Sequence, residues 1–232
     1  MKKFFTLIAT VAMATSMNAQ GTYAVQEGDN VKAGDQITSV ENITLTYMEN
    51  EGIAYAAVKK QTNWADADFG AYVCGKSNGK LVSGAEPTGC VYKFETAKAG
   101  SITVGVQLNA KKGFHILDAE YAEVAPASYN LPAAKDGDSQ EFTQNEKGEN
   151  IIAAKSNGTV TFSVAEGGTY YVLAAGTKMG FFGFKYEAGT STGISSIEAA
   201  AKNDGKTYNM AGQQVSSSFK GLVIKNGKKF VK

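Results

Sequence analysis

The chain has 232 residues, a formal net charge of +1, and 23 basic residues that are all lysine. With no arginine fork to grip phosphate or guanine, and no bulk charge to draw a polyanion, nucleic acid is not an expected partner. One histidine and two cysteines are too few to close a zinc site unless carboxylates complete it.

At the N-terminus, Lys2 and Lys3 precede an apolar run from Phe4 to Ala14, and Ser16-Met-Asn-Ala19 supplies small residues for a signal peptidase. This pattern predicts a secretory signal over residues 1–19, cleaved after Ala19, rather than a membrane span. No cysteine lies near that cut, which argues against a lipid anchor. Without Lys2 and Lys3, 21 lysines stand against 22 acidic residues. The expected organisation is a signal at 1–19, a body at 20–187, a linker at 188–196 and a small C-terminal module at 197–232. The body is long enough for one domain with its own core.

From residue 40 to 187 the apolar residues recur with period 2. Ile102, Val104, Val106 and Leu108 share one face with Ser, Thr, Gly and Gln opposite, and Val160, Phe162 and Val164 alternate with Thr159, Thr161 and Ser163. These are half-buried antiparallel strands. Further strands are expected at 43–48, 53–59, 69–74, 90–95, 114–118, 120–125, 150–154, 169–175 and 181–187, bounded by Gly, Asn, Asp or Pro. Tyr170-Tyr-Val-Leu-Ala-Ala175 is apolar on both faces, as a central strand is. In the strand that follows, Phe182, Phe184 and Tyr186 are expected to point one way. Many short strands separated by turns give an all-β fold, an antiparallel jelly roll or β-sandwich. Helix is confined to possible turns near 64–69 and 197–202.

Cys74 and Cys90 flank one polar loop. In an oxidising compartment they are expected to form a disulfide, with two unpaired core thiols or a redox role as the alternatives, the latter disfavoured by the absence of Cys-x-x-Cys. Two catalytic signatures are missing: there is no His-Glu-x-x-His and no EF-hand loop. His115, the only imidazole, reads as a strand residue near the surface. Asp66 with Asp68, Glu120 with Glu123 and Asp136 with Asp138 are close in sequence and read as solvated loop charge rather than as a glycosidase pair. The best candidate site is Thr62-Asn-Trp-Ala-Asp-Ala-Asp-Phe-Gly-Ala-Tyr72, with Asn63, Trp64, Asp66, Asp68 and Tyr72 as ligand-binding residues. An exposed indole stacks on sugar C–H faces, and the neighbouring amide and carboxylates accept hydroxyl hydrogen bonds. In the other reading Trp64 caps one end of the core. Asp66 and Asp68 are also the candidates for a structural calcium ion. Tyr121 and Tyr129 either extend a binding surface or pack at the rim.

In the tail, Leu222-Val-Ile-Lys225 and Lys228-Lys-Phe-Val231 flank Asn226-Gly227, the strongest two-residue signal for a hairpin, and Thr207-Tyr-Asn-Met210 is a third candidate strand. The run Tyr208-Asn-Met-Ala-Gly-Gln-Gln-Val215, then Lys220-Gly-Leu-Val-Ile224 and Asn226-Gly-Lys-Lys229, resembles the C-terminal sorting domains of type IX secretion cargo in gut and oral anaerobes. That family commonly carries arginine after Gly-Gln, where this chain has Gln214. The resemblance implies that outer-membrane export machinery reads the tail and that the protein is extracellular or attached to the outer-membrane surface. A small hairpin module that merely docks on the body is the alternative.

A second resemblance lies in the body. Val91-Tyr-Lys-Phe94, Ala99-Gly-Ser-Ile-Thr-Val104, Gly168-Thr-Tyr-Tyr171 and Gly176-Thr-Lys-Met-Gly-Phe-Phe-Gly-Phe184 are similar to β-jelly-roll modules found beside pectate lyases and in secreted glycan-utilisation proteins. The expectation is a non-catalytic, exported protein that binds an extracellular glycan. The alternative is a structural or adhesive envelope protein with no small ligand.

Overall fold

A computed structural model describes residues 20–49, 56–60, 66, 68–189, 207–209, 222–225 and 228–231. The expected signal at 1–19, Asn63, Trp64, and the linker and helical turn within 190–206 lie outside the described residues. The chain divides into two compact units, with the boundary between Thr190 and Ser191.

In chain order the strands are β1 (Gln20–Ala24), β2 (Gln36–Ile37), β3 (Ile43–Met48), β4 (Ala56–Lys60), β5 (Ala71–Cys74), β6 (Lys80–Val82), β7 (Ala85–Thr88), β8 (Val91–Thr96), β9 (Gly100–Leu108), β10 (Phe114–Leu117), β11 (Ser128–Asn130), β12 (Thr143–Gln144), β13 (Asn150–Ile151), β14 (Ser156–Val164), β15 (Thr169–Ala174) and β16 (Gly180–Ala188). β17 (Thr207–Asn209), β18 (Leu222–Lys225) and β19 (Lys228–Val231) form the three-stranded antiparallel sheet of the second unit. There is no helix among the described residues.

The first unit is an all-β sandwich. One sheet, here the front sheet, runs β11-β14-β9-β16-β5-β4, with β1 also paired to β16; the back sheet runs β12-β13-β10-β15-β8-β3-β2. Every pairing between these strands is antiparallel. The chain switches sheets from β8 to β9, from β14 to β15 and from β15 to β16, so successive strands face each other across the core. β15 sits between β10 and β8, and while Tyr170, Val172 and Ala174 enter the core, Tyr171 and Leu173 are buried in a second cluster with Val91 and Leu117, which is why both its faces are apolar.

Alternation puts Ile102, Val104, Val106, Val160 and Phe162 of the front sheet against Leu45, Tyr47, Tyr92 and Phe94 of the back sheet in one buried cluster. Phe181 stacks on Tyr92 at 4.4 Å between ring centroids, and Phe94 meets Phe184 edge-on at 5.3 Å. The buried Tyr92 hydroxyl donates to the Met179 carbonyl at 2.9 Å, so the core carries this polar atom without an unpaired group.

Two expectations fail for local reasons. Residues 120–125 are not a strand. Asp118 Oδ1 accepts the Glu120 and Ala122 amides, Tyr121 takes a positive φ, and a single bridge joins Leu117 to Glu123. Nor do Phe182, Phe184 and Tyr186 share a face. The β16–β9 register slips between Phe181 and Gly183, so Phe182 is an extra residue on its strand. Phe181, Phe184 and Tyr186 therefore enter the core, and Phe182 turns to the outer face of the front sheet, where it packs with Phe69. Gly183 makes the bulge possible: its φ is 136°, and a Cβ there would run into the Tyr23 carbonyl of β1.

Gly183→Ala is expected to cost about 3 kcal/mol or more in urea unfolding, since it combines a disfavoured φ with a backbone clash. A loss below about 0.5 kcal/mol, the range of neutral surface changes, would contradict this account of the bulge.

Candidate functional site

The outer face of the front sheet gathers the described candidates. Asp66 Oδ1 accepts the Asp68 amide at 2.9 Å, a local turn that leads Phe69 down onto the sheet. Phe69 is buried against Phe182, and a Cβ on Gly105 would lie 2.9 Å from its ring and 3.0 Å from Phe182 Cβ. The bare glycine in β9 is thus the floor under two aromatic rings. Tyr72, outward on β5, lies 5.4 Å from the Phe182 ring. It also rests over Gly180, where an added Cβ would come within 2.9 Å of both the Tyr72 ring and Gln107 Cβ.

Lys185 closes one side of this patch. Its Nζ lies 2.8 Å from Asp68 Oδ2 and 3.2 Å from Asp66 Oδ2, and 5.3 Å from the centre of the Phe69 ring. Burial works against the ammonium, but Asp68 and Asp66 outweigh it and raise its pKa. The two carboxylates proposed for calcium thus already share a cation, and a metal there would have to displace Lys185. Among the described residues no cluster of three or more His, Cys, Asp or Glu side chains could hold a metal ion.

Across the front sheet, β9 and β14 present outward polar pairs, of which Gln107–Asn157 lies toward Tyr72 while Thr103 is directly opposite Lys185. Register places Asn157 opposite Gln107, Thr161 opposite Thr103 and Ser163 opposite Ser101. Gln107 Nε2 donates to Asn157 Oδ1 at 2.9 Å, and the Thr103 and Thr161 hydroxyls are 2.8 Å apart. Tyr72 therefore stands between a cluster in which one lysine faces two carboxylates and the Gln107–Asn157 amide pair. Burial raises the Tyr72 phenol pKa, with the charge of Cys74 adding to the effect. The hydroxyl stays a neutral donor at ordinary pH.

The remaining candidates are placed elsewhere. His115 is buried, not near the surface: loops cover the outer face of β10. Its Nδ1 meets the Glu123 carboxylate, and its Nε2 has no hydrogen-bond partner and lies 3.8 Å from Glu149 Oε1. Tyr121 packs on Tyr171, and Tyr129 bonds Glu141 and packs on Phe142. Asp136, Asp138 and Glu120 are exposed, as solvated loop charge is.

Cys74 and Cys90 are not joined by the expected disulfide. The fold nonetheless makes them neighbours, since β5 of the front sheet ends at Cys74 and Cys90 immediately precedes β8 of the back sheet. The Cys90 thiol is lowered to about 7, chiefly by its hydrogen bond with Cys74 and further by the Tyr92 hydroxyl and the Gly75 amide, against the effect of burial.

Sequence reasoning reached Asp66, Asp68 and Tyr72 but missed Lys185, Phe182, Gln107 and Asn157. The one available signal was Gly183 inside an aromatic strand, since an isolated glycine in a strand marks a bulge. No protein-family model matches this chain, and no curated protein matches it.

Proposed function

We propose that the protein is an exported, non-catalytic glycan-binding protein whose binding surface is the outer face of the front sheet around Tyr72. The observation that carries the reading is the position of Tyr72. It is a half-exposed aromatic ring lying over Gly180 against Gln107, with the Gln107–Asn157 amide pair beside it. A sugar needs an apolar surface for its C–H face and alternating donors and acceptors for its hydroxyls. Trp64 and Asn63 remain proposed ligand-binding residues on their closeness in sequence to Asp66. Export rests on the N-terminal pattern and on the tail, whose partner is the outer-membrane export machinery.

In an oxidising compartment the neighbouring thiols close into the Cys74–Cys90 disulfide. The partly exposed Cys74 attacks a disulfide of an exchange protein, the buried Cys90 thiolate then displaces that partner from Cys74, and the partner leaves as a dithiol, two hydrogens having moved from this chain to it. The bridge joins the two sheets and closes a loop worth about 3 kcal/mol in the chain-entropy model. Protein made in an oxidising compartment should show no reactive thiol in denaturant until it is reduced. Two thiols titrating without reductant would remove the bridge from the account.

For the surface, affinity electrophoresis against plant and host polysaccharides should find at least one retained glycan. Tyr72→Ala should weaken it about tenfold, or ~1.4 kcal/mol. If no polysaccharide retards the wild-type chain, a structural or adhesive role replaces the binding reading.

A further inference from the structure

The Gln107–Asn157 pair beside Tyr72 borders a cleft. Its volume is about 830 Å³, and its lining includes Gln107, Asn157, the loop Pro132–Gly137 and the start of β14 at Lys155 and Ser156. Gln107 belongs to both places: its Cβ stands beside Tyr72 over Gly180, and its amide bonds Asn157 on the cleft floor. A chain lying across Tyr72 and on over Gln107 and Asn157 would therefore enter the cleft without leaving the sheet.

The walls are fixed before anything binds. Gln140 clamps them together: its Nε2 donates to the Leu131 and Ala154 carbonyls at 3.1 Å each, and its Oε1 accepts the Ala154 amide at 2.7 Å. The Ser139 hydroxyl accepts the Leu131 amide at 2.9 Å, and the buried Ser156 hydroxyl donates to the Pro132 carbonyl at 2.7 Å. A cleft whose backbone is held in this way loses little entropy on binding. Its charge has one sign in excess. Lys135 comes from the loop and Lys155 from the strand start, and Asp136 is the one carboxylate in the lining. Both lysines are exposed, with their ammonium groups accessible to a ligand.

We propose that this cleft is a second subsite that takes an anionic substituent, a carboxylate or a sulfate, of the glycan whose chain crosses Tyr72. The inference rests on the Tyr72 reading and adds to it a ligand class. Gln107 and Asn157 hold the sugar ring, and Lys135 and Lys155 select the charge.

The test is affinity electrophoresis of the full chain on alginate, carrageenan and a neutral galactomannan at low and moderate salt, for wild type, Tyr72→Ala and the double variant Lys135→Gln/Lys155→Gln. Exposed charge pairs contribute modestly, so the double variant should lose about three- to tenfold affinity for the acidic polymer and much of its salt dependence, with neutral binding unchanged. Alginate or carrageenan as the retained polymer identifies the group as carboxylate or sulfate. Acidic binding that is insensitive to the two lysines, or retention of the neutral polymer alone, overturns the cleft and leaves the Tyr72 reading standing. Acidic binding indifferent to Tyr72→Ala marks a lone cationic patch and overturns the subsite. No retention of any polymer removes both readings.

Discussion

One extra residue in β16 sets both the interior and the outer surface of the sandwich. With a regular register, Phe182 and Phe184 would fall on the same side of the sheet. The slip at Gly183 instead sends Phe181 inward onto Tyr92 and Phe182 outward under Phe69 and beside Tyr72. The bulge is stable because Gly183 accepts a φ of 136° and because it has no Cβ to meet the Tyr23 carbonyl, so β1 can pair along the C-terminal half of β16 while β5 pairs at its start. A central strand carries large side chains on both faces when both faces are covered. Here the second cover is the turn at Asp66–Phe69, pinned by Lys185.

The outer face is divided by that pin. Toward Lys185, two carboxylates share one ammonium and apolar surface is buried, which is structural work. Toward Gln107 and Asn157 the same sheet offers amides at half-exposed positions, with Tyr72 at the boundary. The chain has no arginine, so recognition here relies on neutral hydrogen bonds, an aromatic ring and lysine point charges. That chemistry suits a polyhydroxylated ligand bound along an extended line more than a small anion gripped at one point.

Much of the fold was legible because β-strands with one buried face announce themselves by period 2. The strand at 43–48 has the expected bounds, and those at 101–108 and 159–164 lie within longer observed strands, β9 and β14. Illegible features are those in which local rules were broken or contacts are long-range. Phe182 was assigned to the wrong face because a bulge resets the alternation. Tyr121 imitated a strand residue, yet Asp118 captures the following amides in a turn. β6 and β7 have no clean alternation, and their Leu81 and Val82 are exposed. In the site, Asp66, Asp68 and Tyr72 were within reach because they are close in sequence. Lys185, Gln107 and Asn157 arrive from distant strands, and only the sheet order brings them there. Likewise the spacing of Cys74 and Cys90 indicated that they could meet, but spacing does not set their oxidation state.

The central claim is that one face of one sheet is the binding surface. It is tested most directly by following backbone amide NMR shifts of the isotope-labelled chain during titration with a retained oligosaccharide. The account predicts saturable shifts concentrated on Tyr72, Thr103, Gln107, Asn157 and the 132–137 loop, and little change at Lys93, Glu95 and Tyr171 of the back sheet. Shifts concentrated on the back sheet or on the C-terminal strands would contradict it.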